Sequence, residues 1–325
     1  MSILRSRIVG IGSYLPDHIM TNEELAKNIN TTDAWIVERT GIRERRIAAP
    51  SELTSDLATA AAKQALISAK LTEKDIELII LATSTPDNTF PSTATRVQAK
   101  LGMTKGVAFD LQAVCSGFIF ALSVADNFIK SGQIKTALVI GAESFSRILD
   151  WNDRSTCVLF GDGAGAVILK AEYGSGNIQD NGILSTNIHS DGRYYNLLRV
   201  DGGPSSTQTV GYIRMEGRRV FRYATINLVK VAYEILKINN LTIADLDWII
   251  PHQANKRIIE ETARKLRIPL DKMIMTIDRY ANTSAASVPI TFTEAINDGR
   301  IKIGQLILLE AMGGGFTWGA TLIRL

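Results

Sequence analysis

The sequence has too few cysteines and histidines for a disulfide framework or a zinc site. Its 325 residues include two cysteines, Cys115 and Cys157, and three histidines, at positions 18, 189 and 252. Two cysteines do not make a disulfide framework in a chain of this length, and the histidine positions match no zinc-binding spacing. We therefore expect no disulfide framework and no metal ion.

The sequence also lacks long apolar runs and a strong net charge. No stretch of 18 uninterrupted apolar residues occurs, and residues 1–18 (MSILRSRIVGIGSYLPDH) carry charges, glycines and a proline where a signal peptide has a continuous apolar centre. We therefore expect a cytoplasmic protein that does not enter the membrane. Because the net charge is +3, we expect no nucleic-acid partner, and any electrostatic partner has to recognise a local patch.

Apolar, strand-like runs alternate with helical patterns along the chain. This alternation predicts an α/β fold with buried, largely parallel strands. Residues 155–173 (STCVLFGDGAGAVILKAEY) differ, because two strand-like runs flank a glycine-rich stretch that is too short for a helix, and we predict an antiparallel hairpin there. The other predicted strands are ELIILAT (77–83), GVAFDL (106–111), TALVIGA (136–142), DWIIPH (247–252), MIMTID (273–278) and LILLEAM (306–312).

Two pairs of similar segments indicate an internal duplication. LTEKDIELII from Leu71 resembles LTIADLDWII from Leu241, and IKSGQIK from Ile129 resembles INDGRIK from Ile296. The pairs occur in the same order in both parts of the chain, and their two offsets are nearly equal. We therefore predict two duplicated halves, 1–174 and 175–325, with a ligand site where their strand ends converge.

The second pair of segments also relates Cys115 to Asn282. Cys115 precedes Gly132 by the same distance along the chain as Asn282 precedes Gly299, so the two side chains would face each other if the halves are related by a pseudo-twofold axis. Cys115 precedes a helical pattern, SGFIFALSVADNFIKSG, and a helix N-terminus would stabilise its thiolate. The alternative is a buried cysteine that fills space, which is our interpretation of Cys157.

His252 ends the strand-like run DWIIPH, and a new helix is predicted from about Ala254. The end of a buried strand is where α/β proteins bind ligands. Taken alone, His252 fits an ordinary polar residue and Asn282 fits a helix cap. Together, Cys115, His252 and Asn282 occupy three predicted strand ends, and this coincidence predicts an active site.

Two glycine-rich segments allow opposite conclusions about ligand binding. In AMGGGFTWGA (311–320), three successive glycines after a strand let the backbone approach a ligand, so that its N–H groups can line an oxyanion hole; the alternative is a tight turn between two strands. GDGAGA (161–166) lacks the third glycine of the dinucleotide fingerprint and leads into a strand. This segment argues against a nicotinamide-dependent dehydrogenase.

These motifs, with WIVERTGIRERR (35–46), resemble the β-ketoacyl-acyl-carrier-protein synthase III family of condensing enzymes. The resemblance extends from about Arg5 to the C-terminus and implies a homodimer of thiolase-like subunits with five α-β-α-β-α layers. It implies the first condensation of type II fatty acid synthesis. An acyl-coenzyme A primer, expected to be acetyl-coenzyme A, acylates the cysteine, and malonyl-acyl carrier protein then loses carbon dioxide and condenses to a 3-ketoacyl-acyl carrier protein. Coenzyme A enters as a thioester substrate, and no cofactor is expected.

The resemblance assigns the catalytic roles to Cys115, His252 and Asn282. Cys115 would attack the primer thioester, and the backbone N–H groups of Cys115 and Gly314 would bind the oxyanion. His252 and Asn282 would donate hydrogen bonds to the malonyl thioester oxygen and so stabilise the enolate. Loss of carbon dioxide makes a strong general base unnecessary, which accounts for a triad without Asp or Glu.

Further residues match binding positions of the family. Trp35, Arg39 and Arg154 match residues that hold the adenine end of coenzyme A by stacking, cation–π contact and phosphate attraction. Phe90 matches a residue that lines the acyl pocket of the partner subunit. The expected contacts for the acidic acyl carrier protein are Lys256, Arg257, Arg264, Lys265 and Arg222, with Arg214, Arg218, Arg219 and Arg267 around them. The alternative for these charges is an ordinary solvated helix face.

Two alternative functions stay open. A related synthase of specialised metabolism would keep the triad but use another acyl primer or acceptor, and a non-catalytic protein of the same fold would keep only the architecture. Met312, where an aromatic residue is frequent in the family, and residues 187–206 (NIHSDGRYYNLLRVDGGPSS) depart from the family pattern at the expected acyl pocket. The length of the primer therefore stays open.

Overall fold

The structure is a computed structural model that describes residues 2–325. Its strands are β1 (Ile3–Tyr14), β2 (His18–Thr21), β3 (Glu44–Ile47), β4 (Leu78–Ala82), β5 (Val107–Leu111), β6 (Thr136–Ser144), β7 (Asp162–Gly174), β8 (Gly182–Ser190), β9 (Leu198–Val200), β10 (Ile213–Met215), β11 (Trp248–Pro251), β12 (Leu306–Gly313) and β13 (Thr317–Arg324). Its α-helices are α1 (Asn22–Ala26), α2 (Asp33–Thr40), α3 (Thr54–Ala69), α4 (Thr93–Lys100), α5 (Gly117–Lys130), α6 (Gly217–Ile238), α7 (Lys256–Leu266), α8 (Ile277–Tyr280) and α9 (Ser287–Asn297).

Two mixed sheets form the framework. The first has the order β1-β7-β6-β4-β5 and the second the order β11-β12-β13-β8, while β2 with β3 and β9 with β10 form two small ribbons. β4 runs parallel to β5 and β6, and β11 runs parallel to β12, but the remaining pairs within the two large sheets are antiparallel. The prediction of largely parallel strands is therefore wrong. No α-helix separates β6 from β7 or β12 from β13, so the chain returns in the antiparallel direction.

Two local predictions from the sequence are also wrong. Residues 155–173 do not form a hairpin. Gly163 and Gly165 lie inside the single long strand β7, Gly161 precedes it, and residues 155–160 are turns with one isolated bridge. These small residues let neighbouring backbone approach the strand closely: a Cβ on Gly165 would lie 2.7 Å from the Ile290 nitrogen. Residues 273–278 contribute only one isolated bridge, from Met273 to Ile249, before α8 begins.

Three apolar clusters define five stacked layers. The central cluster joins α5 and α9 to the inward faces of both sheets, with Phe118 and Phe292 as its largest buried side chains. A second cluster packs α3 and α4 on the outer face of the first sheet, and a third packs α6 and α7 on the outer face of the second. The α-β-α-β-α architecture expected from the resemblance is confirmed.

The two halves repeat each other in detail. The short turns Glu73–Asp75 and Ile243–Asp245 both begin with a threonine and aspartate capping box, and they lead into β4 and β11. The helices α5 and α9 both end before a glycine with positive φ, Gly132 and Gly299. This repetition is consistent with the predicted duplication, while the boundary between residues 174 and 175 stays a prediction.

Among residues 2–325, no helix is both long enough and apolar enough to cross a membrane.

Candidate active site

Cys115 lies in a short turn, Val114–Ser116, that joins β5 to α5. The residue before it, Val114, has φ of 49°, and Ala281, which precedes Asn282, has φ of 55°. A β-branched residue in this region is strained, and such strain persists where the surrounding packing imposes it.

Ala281 has ψ of −156° and lies before the turn Ser284–Ala286, which leads into α9 as Val114–Ser116 leads into α5. Ser284 begins its turn with the same φ of 49° as Val114, so the position equivalent to Cys115 is Ala285. The predicted equivalence of Cys115 and Asn282 is therefore wrong, because the two helices differ in length before their matching glycines.

The glycine triplet comes close to the turn of Cys115. A Cβ on Gly313 would lie 2.7 Å from the backbone nitrogen of Cys115, and one on Gly314 would lie 2.7 Å from the Leu198 carbonyl oxygen. Both distances are shorter than real Cβ contacts allow, so these positions require glycine. The expected close approach of the glycine backbone to Cys115 is present, with Gly313 as the residue that lines the cavity described below.

His252 is held by a serine whose role no sequence pattern indicates. The Ser287 hydroxyl lies 2.6 Å from Nδ1 of His252, and its oxygen accepts a hydrogen bond from the Gln253 backbone N–H at 3.3 Å. With that N–H bound to the oxygen, we assign the Ser287 proton to Nδ1 of His252, so that Nε2 carries the ring proton. Burial lowers the pKa of His252 to about 3. The imidazole is therefore neutral and offers one N–H donor.

Asn282 is oriented by the chain that follows it. Its Oδ1 accepts a hydrogen bond from the Ser284 backbone N–H at 2.8 Å, and its backbone N–H and carbonyl bond to Leu159 and Gly161. Because the amide oxygen is occupied, the Nδ2 group is left to donate hydrogen bonds to a ligand. Asn282 therefore offers donors at any pH.

One cavity of about 540 Å³ contains all three predicted catalytic side chains. Trp35 and Arg39 also line it, and this volume is in the ordinary range for a ligand site. None of the lining residues, all within the described chain, is an aspartate or glutamate. Besides these five residues, the cavity is lined by Thr40, Ser155, Val158, Leu159, Phe160, Leu198, Met215, Gly217, Arg218, Val220, Phe221, Ala224, Leu228, Ala254, Asn255, Arg257, Ile258, Met312 and Gly313.

The thiol of Cys115 is protonated in this environment. Burial raises its pKa to about 12, the nearby Glu143 also acts to raise it, and hydrogen bonding from Ser284 and from its own backbone lowers it by less. The sequence-based expectation of a thiolate stabilised by a helix N-terminus is therefore not met in the unliganded protein, because removal of water from the sulfur outweighs the hydrogen bonds. A nucleophile here needs a route for its proton.

Trp35 lies between two arginines. The Arg39 guanidinium carbon is 4.9 Å from the centre of the Trp35 ring, and that of Arg154 is 4.7 Å away. The Asn255 side chain also donates a hydrogen bond to the Arg39 carbonyl oxygen at 3.1 Å, which fixes α2 against the start of α7. The three residues predicted to bind coenzyme A thus form one cluster, suited to a flat ring that carries phosphate groups.

The predicted carrier-protein residues differ in their pairing. Arg264 makes two 2.7 Å bonds to Glu261, and Lys265 lies 3.7 Å from the same carboxylate. Lys256 lies 3.6 Å from Glu260. Four other arginines of the predicted set have no carboxylate within 4.0 Å among residues 2–325, namely Arg218, Arg222, Arg257 and Arg267. The positive charge of these unpaired arginines is not neutralised by a neighbouring acid. Two of them, Arg218 and Arg257, line the cavity.

Comparisons with known proteins agree with this geometry. Models of the C-terminal and central regions of 3-oxoacyl-[acyl-carrier-protein] synthase III match residues 236–325 and 109–192, which together exceed half of the chain. The β-ketoacyl-[acyl-carrier-protein] synthase III of Paramagnetospirillum magneticum is 66% identical over 99% of this chain and 100% of its own length. This chain belongs to the synthase III family.

Solved structures extend the comparison. The crystal structure of 3-oxoacyl-[acyl-carrier-protein] synthase III from Aquifex aeolicus VF5 is 49% identical, with a TM-score of 0.93 over 98% of this chain and all of the other. The priming β-ketosynthase of the R1128 polyketide biosynthetic pathway is 33% identical, with a TM-score of 0.93 over all of this chain and 98% of the other. Membership of the family confirms a condensing acyltransferase.

Three side chains that shape the site were not assigned from the sequence. Ser284 and Ser287 lie within NTSAAS, where several hydroxyl residues close together give no indication of which one faces a ligand. Glu143 lies near the end of β6, a run that predicts only a buried strand. Their roles depend on contacts with distant segments, so no local pattern reveals them.

Proposed function

We propose that this protein condenses an acyl-coenzyme A primer with malonyl-acyl carrier protein and so starts type II fatty acid synthesis. The observation that carries the proposal is the single cavity with Cys115, His252 and Asn282 on its wall and Trp35 and Arg39 also lining it. A thiol nucleophile, two neutral donors and an aromatic-arginine cluster are the groups that this reaction needs.

The first half-reaction transfers the acyl group to Cys115. Its sulfur attacks the thioester carbonyl, and the C–S bond to coenzyme A breaks after a tetrahedral intermediate. The backbone N–H groups of Cys115 and Gly314 are the proposed oxyanion donors, and each such donor contributes about 3 kcal/mol of barrier lowering in known oxyanion holes. The product on the enzyme is a thioester, which stays electrophilic enough for the second half-reaction.

The second half-reaction needs hydrogen-bond donors and no base. His252 donates from Nε2 and Asn282 from Nδ2 to the malonyl thioester oxygen, on which negative charge develops as carbon dioxide leaves. A neutral imidazole fits this role, since its low pKa leaves it uncharged at physiological pH. The absence of Asp and Glu from the cavity lining in the described chain also avoids repulsion of the malonyl carboxylate.

The adenine of coenzyme A is proposed to stack on the Trp35 ring in place of one of the two guanidinium groups that lie over it, with Arg39 and Arg154 then contacting the adenine and its phosphates. The acyl chain would lie near Met312 and Leu198, which line the same cavity. These two residues come from the parts of the sequence that depart from the family pattern. They are therefore the residues that we expect to set primer length.

The proposed docking face for acyl carrier protein centres on Arg257, Arg218 and Arg222. Unpaired arginines attract an acidic partner more strongly than arginines already bonded to a neighbouring glutamate. Arg264, Lys265 and Lys256, which have such glutamate neighbours, would form a weaker outer part of the same face.

A location of this protein in the cytoplasm stays a prediction.

A homodimer is proposed across the edge of the first sheet. β5 ends that sheet without a neighbour on its outer side among residues 2–325, and its Val107 is 57% exposed. Phe90, predicted to reach the partner subunit's acyl pocket, is 82% exposed and lies outside its own cavity. Edge strands and large exposed apolar side chains favour pairing with a second copy.

A primer panel tests the proposed function. Purified protein, malonyl-acyl carrier protein and coenzyme A thioesters from acetyl to octanoyl, straight and branched, should give 3-ketoacyl-acyl carrier protein and release carbon dioxide. Formation of the ketoacyl product with acetyl-coenzyme A at the highest kcat/KM supports priming of fatty acid synthesis. Preference for another primer favours the specialised-metabolism alternative, in line with the likeness to a polyketide priming enzyme. No product from any primer contradicts both functions.

A further inference from the structure

The fully buried carboxyl of Glu143 lies beside the active site without lining the cavity. It accepts hydrogen bonds from the Thr85 hydroxyl at 2.6 Å, the Ser84 backbone N–H at 3.0 Å and the Ser284 hydroxyl at 3.1 Å. Thr83 adds a longer contact of 3.2 Å. A buried acid with this many donors is held in one position.

Ser284 connects this carboxyl to the nucleophile. Its hydroxyl donates a hydrogen bond to Glu143 Oε1 at 3.1 Å, and its proximity acts to lower the pKa of the Cys115 thiol. Its backbone has φ of 49° and its N–H orients Asn282. The turn that Ser284 begins packs against the start of α5, since a Cβ on Gly117 would lie 3.5 Å from the Cβ of Ala285. Ser284 is therefore bonded to the buried acid and belongs to a turn that packs beside the turn of Cys115.

We propose that Glu143, acting through Ser284, takes the proton of Cys115 during acylation and returns it during condensation. In this proposal Ser284 passes the proton between the sulfur and the carboxyl, and Glu143 is a positioning residue that holds the proton. The proposal rests on the proposed function and adds to it the route of the thiol proton.

The proton and electron pairs balance over the two half-reactions. In acylation, the thiol proton moves to Ser284 Oγ while the Ser284 proton moves to Glu143, and the sulfur forms its bond to the acyl carbon. Coenzyme A leaves as a thiolate and takes a proton from solvent. In condensation, the carbanion left by carbon dioxide attacks the acyl carbon, the Cys115 thiolate leaves, and the proton on Glu143 returns to it through Ser284.

Charge gives a physical reason for this coupling. Burial raises the pKa of Glu143 to about 7, so the acid exchanges a proton near neutral pH, and its negative charge raises the pKa of Cys115. Moving the proton from sulfur to carboxylate removes that repulsion at the moment the thiolate forms. The other contacts of the Glu143 carboxyl are hydroxyl groups and a backbone N–H. The remaining titratable group in the cavity close to Cys115 is His252, which is neutral.

The test is the pH profile of acylation measured in single turnovers with acetyl-coenzyme A between about pH 6 and 9.5. In the unchanged protein the rate should rise through the titration of Glu143 and reach a plateau. Glu143→Gln keeps a side chain of the same size but cannot take the proton. We expect acylation to fall about a hundredfold at pH 7 and to rise roughly tenfold per pH unit without that plateau, because hydroxide must then remove the thiol proton.

Controls separate this role from a structural one. Glu310→Gln makes the same change at another fully buried carboxyl, whose oxygens have no hydrogen-bond partner in the described chain, and it should keep the plateau. Glu143→Asp retains a carboxyl and should restore a plateau at lower rate. An unchanged profile shape in Glu143→Gln, with the rate lowered equally at every pH, would overturn the proposal.

A second variant keeps the test decisive if Glu143→Gln does not fold. Ser284→Ala removes the bridge and leaves the carboxyl in place, so it should lose the plateau in the same way, and iodoacetamide labelling of Cys115 over the same pH range should follow the acylation profile. Retention of the plateau in folded Ser284→Ala would contradict the relay. Failure of the unchanged protein to be acylated would instead contradict the proposed function.

Discussion

The Ser287 hydroxyl lies 2.6 Å from Nδ1 of His252 and fixes which ring nitrogen faces the cavity. Ser287 begins α9, whereas His252 follows β11, so the contact joins two elements that are well separated in the chain. Without it, the imidazole would be free to exchange its proton between the two nitrogens. The orientation of the donor is therefore a property of the helix as well as of the histidine.

Ser287→Ala should slow the decarboxylation of malonyl-acyl carrier protein while sparing acylation of Cys115. Loss of one hydrogen bond to a buried group corresponds to about 1–2 kcal/mol, so we expect a decrease of roughly tenfold in decarboxylation. The measurement is carbon dioxide release compared with acyl-enzyme formation in single turnovers. Equal decreases in both steps would argue against a role confined to His252.

Asn282→Ala should have a larger effect on the same step. This change removes a donor to the developing enolate, and loss of one such donor decreases the rate by about a hundredfold to a thousandfold. Asn282→Asp is the matched variant, because it keeps the size of the side chain but replaces the amide donor by a carboxylate. Asn282→Ala should acylate at close to the normal rate, whereas the new carboxylate of Asn282→Asp should also oppose thiolate formation at Cys115. A defect of Asn282→Ala found only in acylation would contradict the assignment.

Reversing charge at Arg257 should weaken the use of malonyl-acyl carrier protein. Arg257→Glu places a negative charge on the cavity lining, facing an acidic partner, and we expect about a tenfold rise in KM for the carrier protein with no change for acyl-coenzyme A. Arg264→Glu is the control, because Arg264 is already bonded to Glu261, and its effect should be smaller. Equal rises in KM for both substrates would remove the docking role of Arg257.

The stability of the protein should depend on pH through the protonation of the buried acid Glu310. Burial raises its pKa to about 8, above the 4.5 of an ordinary glutamate. Its contribution to stability is therefore fully present below about pH 4.5 and is lost as the pH rises through about 8. Glu310→Gln stays neutral at every pH. The free energy of unfolding of this variant, relative to that of the parent, should therefore increase by a few kcal/mol between about pH 5 and pH 9. Urea unfolding at several pH values checks this, and parallel pH curves would contradict it.

Sequence patterns predict the α/β class and the duplication of this fold better than the direction of its strands. The two similar segments that begin at Ile129 and Ile296 correctly predict two helices that end at matching glycines. They align Cys115 with Asn282, whereas the turns before α5 and α9 pair Cys115 with Ala285. Strand direction depends on whether a helix crosses between strands, and the glycines of β7 gave a false turn signal. Small residues permit close packing inside a strand as readily as they permit a turn.

The sequence likewise predicts some residues of the candidate site and not others. Cys115 and His252 follow strands that periodicity can locate, whereas Asn282 follows no strand. All three side chains line one cavity. Ser284, Ser287 and Glu143 could not be found, because each acts through a contact between segments far apart in the sequence. The same reason explains the pKa of Cys115: the helix start is visible in the sequence, whereas the burial that opposes it depends on the whole core.

The central claim is that the sulfur of Cys115 carries the acyl group. Mass spectrometry of the protein after incubation with acetyl-coenzyme A, without malonyl-acyl carrier protein, tests it directly. We expect one acetyl group per chain, located on the peptide that contains Cys115, released when malonyl-acyl carrier protein is added, and absent from Cys115→Ser. Acetylation of another residue, or full condensation activity in Cys115→Ser, would contradict the account.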